Sequence, residues 1–261
     1  MGLLEGRAVL VSGGTQGVGA GIARAAAREG ADVVVSGRRA EVGEAVVAEL
    51  REAVAPGREA HFVRADVADV ESARASVAAV VERFGRVDCL VNAAGLTARG
   101  TLLGTTPELF DAHVAVNLRG PFFTMQAAVA DMVRRGEPGT VLNVISISEH
   151  GGQPYLAPYV AAKAGLAGLT RNAAHAHRFD RVRINGLDIG WTGTEGEDAV
   201  QRAAHGAQDG WDEEAARRLP MGKLGQVDEI ADLAVFLLSP RSGVVTGSVL
   251  DWDQVVVGGM D

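Results

Sequence analysis

Tyr159 and Lys163 are the residues of this 261-residue sequence whose types and spacing point most directly to chemistry. They lie four positions apart at the start of a segment rich in alanine, glycine and leucine, so a helix would place both side chains on one face. A phenol with an ordinary pKa of about 10 is a poor base at neutral pH, and a neighbouring ammonium group stabilises its phenolate. Such a pair can exchange a proton with a substrate oxygen, although most Tyr and Lys pairs at this spacing lie on helix surfaces without a chemical role.

Ser146 lies thirteen residues before Tyr159 and follows a predicted strand. Its hydroxyl could polarise the same substrate oxygen, whereas a serine at the end of a strand often serves only as a turn or capping group. Ser148 is a second candidate, because its hydroxyl is two residues further along. Together these residues predict a site for general acid and base catalysis.

A glycine-rich loop runs from Ser12 to Gly19, directly after the first predicted strand and at the start of a predicted helix. Glycines at such a turn let the backbone approach a pyrophosphate, and free N–H groups at the start of the helix favour an anion. A tight turn with close packing of helix on strand is the alternative explanation. The flanking strand and helix favour a dinucleotide site. Its predicted contacts are Gly13, Thr15, Gln16, Gly17, Val18 and Gly19.

The end of the second predicted strand reads SGRR over residues 36–39. Enzymes that bind NAD usually have an acidic residue there for the ribose 2′-hydroxyl, and this sequence has none. Two cations at the start of a helix are unfavourable for the helix dipole, and a bound phosphate would compensate for them. We therefore expect NADP(H) as the preferred cofactor and NAD(H) as an alternative. A pair of solvated surface arginines is the other explanation.

Seven β-branched runs alternate with helix-length segments along the chain. The strands are predicted at 8–11, 33–36, 61–64, 87–91, 141–145, 182–185 and 248–252, and the helices at about 18–29, 40–54, 70–83, 107–135, 156–178 and 227–238. This βαβ rhythm predicts an α/β fold, a doubly wound seven-stranded parallel sheet with helices on both faces. Because no linker interrupts the rhythm, we expect one domain over 1–261. Within it, the long polar segment 193–220 is predicted to be a lid over the substrate.

The composition is that of an ordinary globular protein, with 47% hydrophobic and 22% charged residues. The formal net charge of −8 argues against nucleic acid or an anionic membrane surface as a partner. The sequence begins without a secretory signal pattern, contains no apolar run long enough to span a membrane, and has one cysteine, Cys89, in an apolar run. We therefore expect a cytoplasmic protein.

Taken together, these motifs resemble the classical short-chain dehydrogenase/reductase family over nearly the whole chain. The matching motifs, in the family's order, are residues 12–19, Asp66 with Val67, residues 92–95, Asn117, Ser146, and Tyr159 with Lys163. The resemblance implies a Rossmann-like fold. It also implies an oxidoreductase that transfers a hydride between NAD(P) and a carbonyl or secondary alcohol of a small molecule.

The resemblance further implies a role for each matching residue. Tyr159 would be the general acid and base, Lys163 would lower the pKa of Tyr159 and hold the nicotinamide ribose, and Ser146 would position the carbonyl. Asn117 would complete a proton relay through water. The implied cofactor contacts, besides Tyr159 and Lys163, are Arg38, Asp66, Val67, Asn92, Ala93, Ala94 and Gly95.

Two parts of the sequence depart from the family pattern. Ile189 precedes Gly190 where the family usually has proline, and residues 253–255 replace the family's Asp-Gly-Gly. The implied cofactor contacts near the first departure are Ile189, Gly190, Thr192 and Thr194. Family members are commonly tetramers built on the two long helices, here 107–135 and 156–178, so a homotetramer or a dimer is expected.

The residues around the predicted reaction centre are polar, which favours a small hydroxylated substrate such as a sugar, polyol or hydroxyketone. The predicted substrate contacts are Ser148, Gln153, Tyr155 and Trp191. No metal site is predicted, because His175 and His177 would point to nearly opposite sides of a helix. A non-catalytic NADP-binding sensor and a methyltransferase are the alternatives. The first would not need the proton-transfer residues, and the second would normally have an acid at the end of the second strand.

Overall fold

Seven runs of β-branched residues form one parallel sheet in the computed structural model, which describes residues 2–258. The strands are β1 (Ala8–Ser12), β2 (Asp32–Gly37), β3 (Ala60–Arg64), β4 (Cys89–Asn92), β5 (Gly139–Val144), β6 (Val182–Ile189) and β7 (Val249–Trp252). Their order is β3-β2-β1-β4-β5-β6-β7, and every neighbouring pair is parallel. The predicted seven-stranded parallel sheet is confirmed. Met1 and residues 259–261, which the predicted domain includes, lie outside the described residues.

Strand β6 is longer than the sequence predicts. The β-branched pattern ends at Asn185, but the strand continues to Ile189 and pairs with β7 along residues 186–189. Gly186 and Asp188 conceal this extension, because glycine and aspartate are uncommon in strands. Both residues are buried, so the strand carries a carboxyl group into the interior at its end.

The helices connect successive strands. Those described between residues 2 and 258 are α1 (Gly17–Arg28), α2 (Ala40–Ala53), α3 (Val70–Phe84), α4 (Pro107–Val114), α5 (Gly120–Arg135), α6 (Ala157–His177), α7 (Glu195–His205), α8 (Trp211–Ala216) and α9 (Val227–Leu238). The segment predicted as one helix at 107–135 is divided by a π-helical turn, Ala115–Arg119, just before Pro121, which has no N–H for a regular helical hydrogen bond. No helix in this part of the chain is long and apolar enough to cross a bilayer.

Helices cover both faces of the sheet, and each face has its own apolar core. Val9 and Val11 of β1 belong to the core under α1, α2 and α9, whereas Leu10 belongs to the core under α3, α5 and α6. This alternation follows from the period of two along a strand. The doubly wound arrangement predicted from the sequence is therefore confirmed.

The sheet contains a crevice where the chain reverses its direction of winding. From β1 the chain winds outward to β2 and β3, and β4 then lies on the other side of β1, so the loops after β1 and β4 separate at the carboxyl ends of the strands. A buried polar network lies beneath this crevice. Asn92 donates to Asn143 at 2.9 Å and accepts from Thr124 at 2.6 Å, and Asn143 donates to Thr170 at 2.9 Å. The network joins β4 and β5 to α5 and α6, because any broken link would leave a buried polar group unpaired.

Two helical glycines give opposite predictions for the same substitution. A Cβ atom on Gly21 of α1 would lie 2.1 Å from Cγ1 of Val227, whereas one on Gly168 of α6 would meet no atom within 4 Å. Alanine is favoured over glycine in a helix by about 1 kcal/mol, but overpacking costs about 1–3 kcal/mol. We expect Gly21→Ala to lower the melting temperature followed by circular dichroism, and Gly168→Ala to leave it unchanged or raise it. A higher melting temperature for Gly21→Ala would contradict the close packing of α1 on the start of α9.

Candidate active site

A cleft of about 1630 Å³ runs along the carboxyl ends of the strands, from the glycine-rich loop to Tyr159. Small-molecule sites usually have about 300–1,000 Å³, so this cleft has room for a dinucleotide and a second molecule. Most of the predicted site residues line it. They are Gly13, Thr15, Gln16, Gly17, Val18, Gly19, Arg38, Asp66, Val67, Ala93, Ala94, Gly95, Ser146, Ser148, Gln153, Tyr155, Tyr159, Lys163, Ile189, Gly190, Trp191, Thr192 and Thr194. Asn92 and Asn117 are not among the lining residues.

The loop between β1 and α1 depends on glycines that have no room for a side chain. Gly13 has a φ of +78°, and a Cβ atom on it would lie 2.4 Å from the backbone nitrogen of Ala94. A Cβ atom on Gly19 would lie 2.3 Å from the carbonyl oxygen of Gly13. Helix α1 then begins without a side-chain cap or an acidic residue in its first turn, so its positive N-terminal dipole is not neutralised. This cradle fits the pyrophosphate of a dinucleotide.

Arg38 and Arg39 line the cleft beyond the end of β2, and both are exposed. The Arg39 guanidinium donates a hydrogen bond to the side-chain oxygen of Gln16. Arg38 forms no ion pair of 4.0 Å or less within residues 2–258. The Asp66 carboxylate, on the neighbouring loop after β3, accepts a hydrogen bond of 3.0 Å from the backbone of Ala68. This end of the cleft therefore offers unpaired positive charge to an anion.

Helix α6 and the end of β5 position the three residues predicted to act in proton transfer. Tyr159 and Lys163 lie one turn apart on α6, and both are buried, with 9% and 4% of their surfaces exposed. Lys163 Nζ donates a hydrogen bond of 2.7 Å to the carbonyl oxygen of Val144 and lies 5.7 Å from the centre of the Tyr159 ring. The Ser146 hydroxyl lies just beyond the end of β5, 3.1 Å from that of Ser148. A phenol, an ammonium group and two hydroxyls thus meet at one end of the cleft.

Burial controls the protonation of these groups. It raises the pKa of Tyr159 to about 12, and interaction with the Ser146 hydroxyl opposes this effect more weakly. Burial also lowers the pKa of Lys163 to about 8, while the Asp188 carboxylate acts in the opposite direction. The sequence predicts that Lys163 lowers the pKa of the phenol, but the groups of the chain that lower it are Ser146 and Arg99, and burial outweighs them. The phenol is therefore protonated at neutral pH and can donate its proton.

Asn117 lies in the π-helical turn, fully buried beside the loop that follows β4. Its amide oxygen accepts from the Leu96 backbone nitrogen at 3.0 Å, and its amide nitrogen lies 2.9 Å from the Leu96 carbonyl oxygen and 3.1 Å from Nδ1 of His113. Nε2 of His113 lies 3.0 Å from the carbonyl oxygen of Ala98, and burial lowers the pKa of His113, which favours the neutral ring. The Asn117 side chain therefore holds the loop at 96–98 in place. The water relay implied for Asn117 stays a prediction.

The polar segment 193–220 forms the helices α7 and α8 beside the cleft. Two aromatic contacts hold it there. The ring of Trp211 stacks on that of Trp191 with the centres 5.9 Å apart, and the ring of His205 meets that of Tyr155 edge-on at 5.8 Å. Helix α8 has only six residues, and α7 is polar and has no buried residue, which is why the sequence pattern indicates a polar segment without resolving the two helices.

The start of this segment lies next to Gly225, which follows its end by five residues. The backbone nitrogen of Gly193 donates to the carbonyl oxygen of Gly225 at 3.0 Å, and the nitrogen of Gly225 donates to the carbonyl oxygen of Trp191 at 2.8 Å. These bonds close the segment at its base, as in a compact surface loop. The segment therefore packs on the cleft without displacing β6 or α9.

Comparison with known proteins agrees with this geometry. A family model described as Enoyl-(Acyl carrier protein) reductase matches residues 13–256. The L-rhamnose 1-dehydrogenase (NAD(P)(+)) of a Sphingomonas species is 36% identical, over 100% of this chain and 98% of that protein. The gluconate 5-dehydrogenase of Gluconobacter oxydans is 33% identical, over 95% of this chain and 93% of that protein. The solved structure of actinorhodin polyketide ketoreductase with NADPH is 32% identical, with a TM-score of 0.89 over 97% of this chain and 98% of that one.

The chain belongs to the short-chain dehydrogenase/reductase family. The family predicted from the sequence motifs is therefore confirmed. So is the general activity of this family member, an oxidoreductase that uses NAD(P) and acts on the CH–OH/C=O pair. The match extends over the cleft from the glycine-rich loop to β7.

Asp188 is a residue of this dehydrogenase/reductase that the sequence analysis does not single out. It is fully buried at the end of β6, and its carboxylate lies 3.6 Å from Nε2 of His150. The pKa of Asp188 is raised to about 7, mainly by burial and to a smaller extent by the carboxylates of Glu149 and Asp251, while His150 acts in the opposite direction. The one signal in the sequence is an aspartate next to the apolar end of a strand. Its burial depends on the extension of β6, which the sequence conceals.

The buried carboxyl of Asp188 makes the stability of this dehydrogenase/reductase depend on pH. Its ordinary pKa is 3.8 and its pKa in the folded protein about 7, so the unfolded chain loses the proton first and the free energy of unfolding falls as pH rises between these values. We expect Asp188→Asn to be more stable than the native protein at pH 8, by roughly 1–3 kcal/mol, with a smaller difference at pH 5. Urea unfolding at the two pH values measures this. Asp232→Asn, on the exposed face of α9, is the control, and a difference for Asp188→Asn that does not change with pH would contradict the assignment.

Proposed function

We propose that the protein transfers a hydride between NADP(H) and a carbonyl or secondary alcohol of a small hydroxylated substrate, with Tyr159 as general acid and base. The proposal rests on one observation. The phenol, ammonium and hydroxyl groups of Tyr159, Lys163 and Ser146 line the same cleft as a glycine cradle suited to a pyrophosphate. An enzyme of the same kind that prefers NAD(H) is the alternative.

The residues along the cleft would hold the cofactor at successive points. The backbone of residues 13–19 would bind the pyrophosphate, Arg38 the 2′-phosphate of NADP(H), and Asp66 and Val67 the adenine. Residues 93–95 and 189–194 would line the nicotinamide half of the cleft. The bound cofactor supplies or accepts the hydride. The NADPH named with the polyketide ketoreductase structure supports the phosphate-bearing form.

Tyr159, Lys163 and Ser146 would divide the proton chemistry among them. In carbonyl reduction the Tyr159 phenol donates its proton to the substrate oxygen, while the Ser146 hydroxyl donates a hydrogen bond to the same oxygen. The Lys163 ammonium then stabilises the phenolate that remains. In alcohol oxidation the phenolate takes the proton back. With a pKa of about 12 the Tyr159 phenol holds its proton at neutral pH, as a proton donor to a carbonyl oxygen must.

The substrate end of the cleft supports a small polar substrate. Ser148 donates a hydrogen bond of 2.8 Å to the side-chain oxygen of Gln153, and Tyr155 and Trp191 complete this part of the lining. Two relatives are named for rhamnose and gluconate, which are small hydroxylated compounds. In this proposal the segment 193–220 is a lid that covers the substrate and excludes water.

A homo-oligomer is also part of the proposal. Three large apolar side chains are exposed along α4 and α5, which with α6 are the helices on which the family resemblance places subunit contacts. They are Phe110, Phe122 and Val133, with 44%, 43% and 41% of their surfaces exposed. Apolar side chains in such a position support burial against a second copy of the chain, as a dimer or tetramer.

Substitution of the two tyrosines of the chain tests the role of Tyr159. Tyr159→Phe removes one hydroxyl, so we expect kcat for NADPH-linked carbonyl reduction to fall by about 10²–10⁴-fold, while the dissociation constant of NADPH stays within about twofold. Tyr155→Phe removes the other hydroxyl from the same cleft and should lower kcat by less than about tenfold. Absorbance of the reduced nicotinamide across a panel of carbonyls and alcohols gives the rates. Retention of more than a tenth of the native kcat in Tyr159→Phe would remove the assignment.

Charge reversal at Arg38 tests the cofactor preference. Hydrogen bonds between charged groups contribute about 1.5–3 kcal/mol, so Arg38→Asp should raise KM for NADPH by about 10–100-fold or more. KM for NADH should change by less than about threefold, because NADH has no 2′-phosphate. Arg51→Asp, on the exposed face of α2, is the matched control. Equal effects of Arg38→Asp on the two cofactors would defeat the assignment of the phosphate to this residue.

A further inference from the structure

Arg99 is a charged residue at the substrate end of the cleft to which the proposed function gives no role. It lies on the loop after β4 and lines the cleft together with Tyr155, Tyr159 and Glu197. Its guanidinium donates one hydrogen bond, of 3.3 Å, to the carbonyl oxygen of Thr97 and lies 5.4 Å from the centre of the Tyr155 ring. Within residues 2–258 it pairs with no carboxylate, and its buried Nε has no hydrogen-bond partner. Most of its donors are therefore free.

The backbone that carries Arg99 is held on both sides. Gly100 donates a hydrogen bond of 2.9 Å to the carbonyl oxygen of Tyr155 and accepts one of 2.9 Å from the backbone nitrogen of Ala157, which ties the loop to the start of α6. On the other side, the Asn117 side chain bonds both backbone groups of Leu96. Arg99 therefore has a fixed place relative to the helix that carries the phenol, as a specific binding group requires.

The acids that line this part of the cleft have other partners. Glu197 accepts hydrogen bonds from Trp191 at 2.8 Å and from Gln201 at 2.7 Å. Asp253 accepts one of 2.8 Å from the backbone of the next residue. The chain has 33 acidic and 25 basic residues, yet no acid neutralises Arg99 in the described part of the chain. A guanidinium held in this way presents a planar fork that matches a carboxylate.

We propose that Arg99 binds a carboxylate group of the substrate, which makes the substrate a small hydroxy or keto acid; this inference rests on the proposed function. One guanidinium matches the single charge of a carboxylate. A phosphate monoester carries about −1.5 to −2 charges and would also face Glu197, which disfavours it. The acid group and the reacting carbon are then held by different elements, the loop after β4 and α6, so the anion orients the carbonyl toward Tyr159.

Matched pairs of substrates test the inference. In the oxidative direction, with NADP⁺, we compare kcat/KM for gluconate with that for sorbitol, and kcat/KM for galacturonate with that for galactose. In the reductive direction, with NADPH, we compare kcat/KM for 5-ketogluconate with the values for fructose and fructose 6-phosphate. Each acid should exceed its neutral partner by about tenfold or more. Arg99→Gln should lower kcat/KM for the acids by about 10–100-fold and that for the neutral partners by much less, so the ratio collapses toward one. Arg99→Lys keeps the charge without the fork and should give an intermediate ratio, and Arg51→Gln should leave the native ratio unchanged.

A binding measurement gives a readout that does not need turnover. Trp191 lines the cleft, so gluconate added to the protein with NADPH, a pair that cannot react, should change the tryptophan emission in a saturable way, with a dissociation constant raised at least tenfold in Arg99→Gln. Sorbitol should cause a much weaker change.

The outcomes separate this inference from the proposed function. If acids and neutral partners are turned over equally and respond equally to Arg99→Gln, the inference is overturned and the proposed function stands. The inference is also overturned if none of the acids gives a saturable change in tryptophan emission. If kcat/KM is higher for fructose 6-phosphate than for 5-ketogluconate, the choice of a carboxylate is overturned. The absence of any NADP-linked turnover across the whole panel, with binding of gluconate retained, counts against the proposed function instead.

Discussion

The buried hydrogen bond from the Lys163 ammonium group to the carbonyl oxygen of Val144 joins α6 to the end of β5. A charged group that has lost its hydration needs such an acceptor, so the bond fixes the helix in one position on the sheet. Ser146 follows the acceptor by two residues, and Tyr159 precedes the donor by one helical turn. The relative positions of the groups that would handle a proton therefore depend on this one contact, supported from below by the network around Asn143.

Burial has opposite effects on the two ionisable groups of α6. It favours the neutral form of each, so it strengthens the hold of Tyr159 on its proton and weakens that of Lys163. The carboxyl of Asp188, itself buried at the end of β6, counteracts the second effect and helps Lys163 to remain charged. The Asp188 charge acts in the same direction on both groups, since it raises the pKa of Tyr159 as well as that of Lys163. It therefore helps to keep the phenol protonated and opposes the loss of the proton from the ammonium group.

The parts of the molecule that could be predicted from the sequence are those set by neighbours in the chain. The glycine-rich loop and the spacing of Tyr159 and Lys163 are local features, and the alternation of short strands and helices predicts a doubly wound parallel sheet of seven strands. The extension of β6, the π-helical turn before Pro121 and the burial of Asp188 were missed, because they result from pairing and packing between distant segments. The spacing of Tyr159 and Lys163 also predicts a lowered pKa for the phenol. The pKa is raised instead, because the surrounding residues of the fold bury the phenol away from water. Arg99 gives no sequence signal, since its significance lies in the counter-ion that it lacks.

The backbone bonds among Trp191, Gly193 and Gly225 bring together the two ends of a segment of slightly more than thirty residues. An isolated β-bridge between Thr192 and Gly225 joins the residues after β6 to those before α9. The strands and helices that carry Tyr159 and Lys163 are therefore connected without that segment. Insertions, deletions or wholesale exchange of this stretch can therefore accumulate while the machinery beneath it is conserved. Such an arrangement lets the substrate selectivity of an enzyme change during evolution while its catalytic residues stay the same. It also makes Gly193 and Gly225 suitable junctions for building chimaeric enzymes.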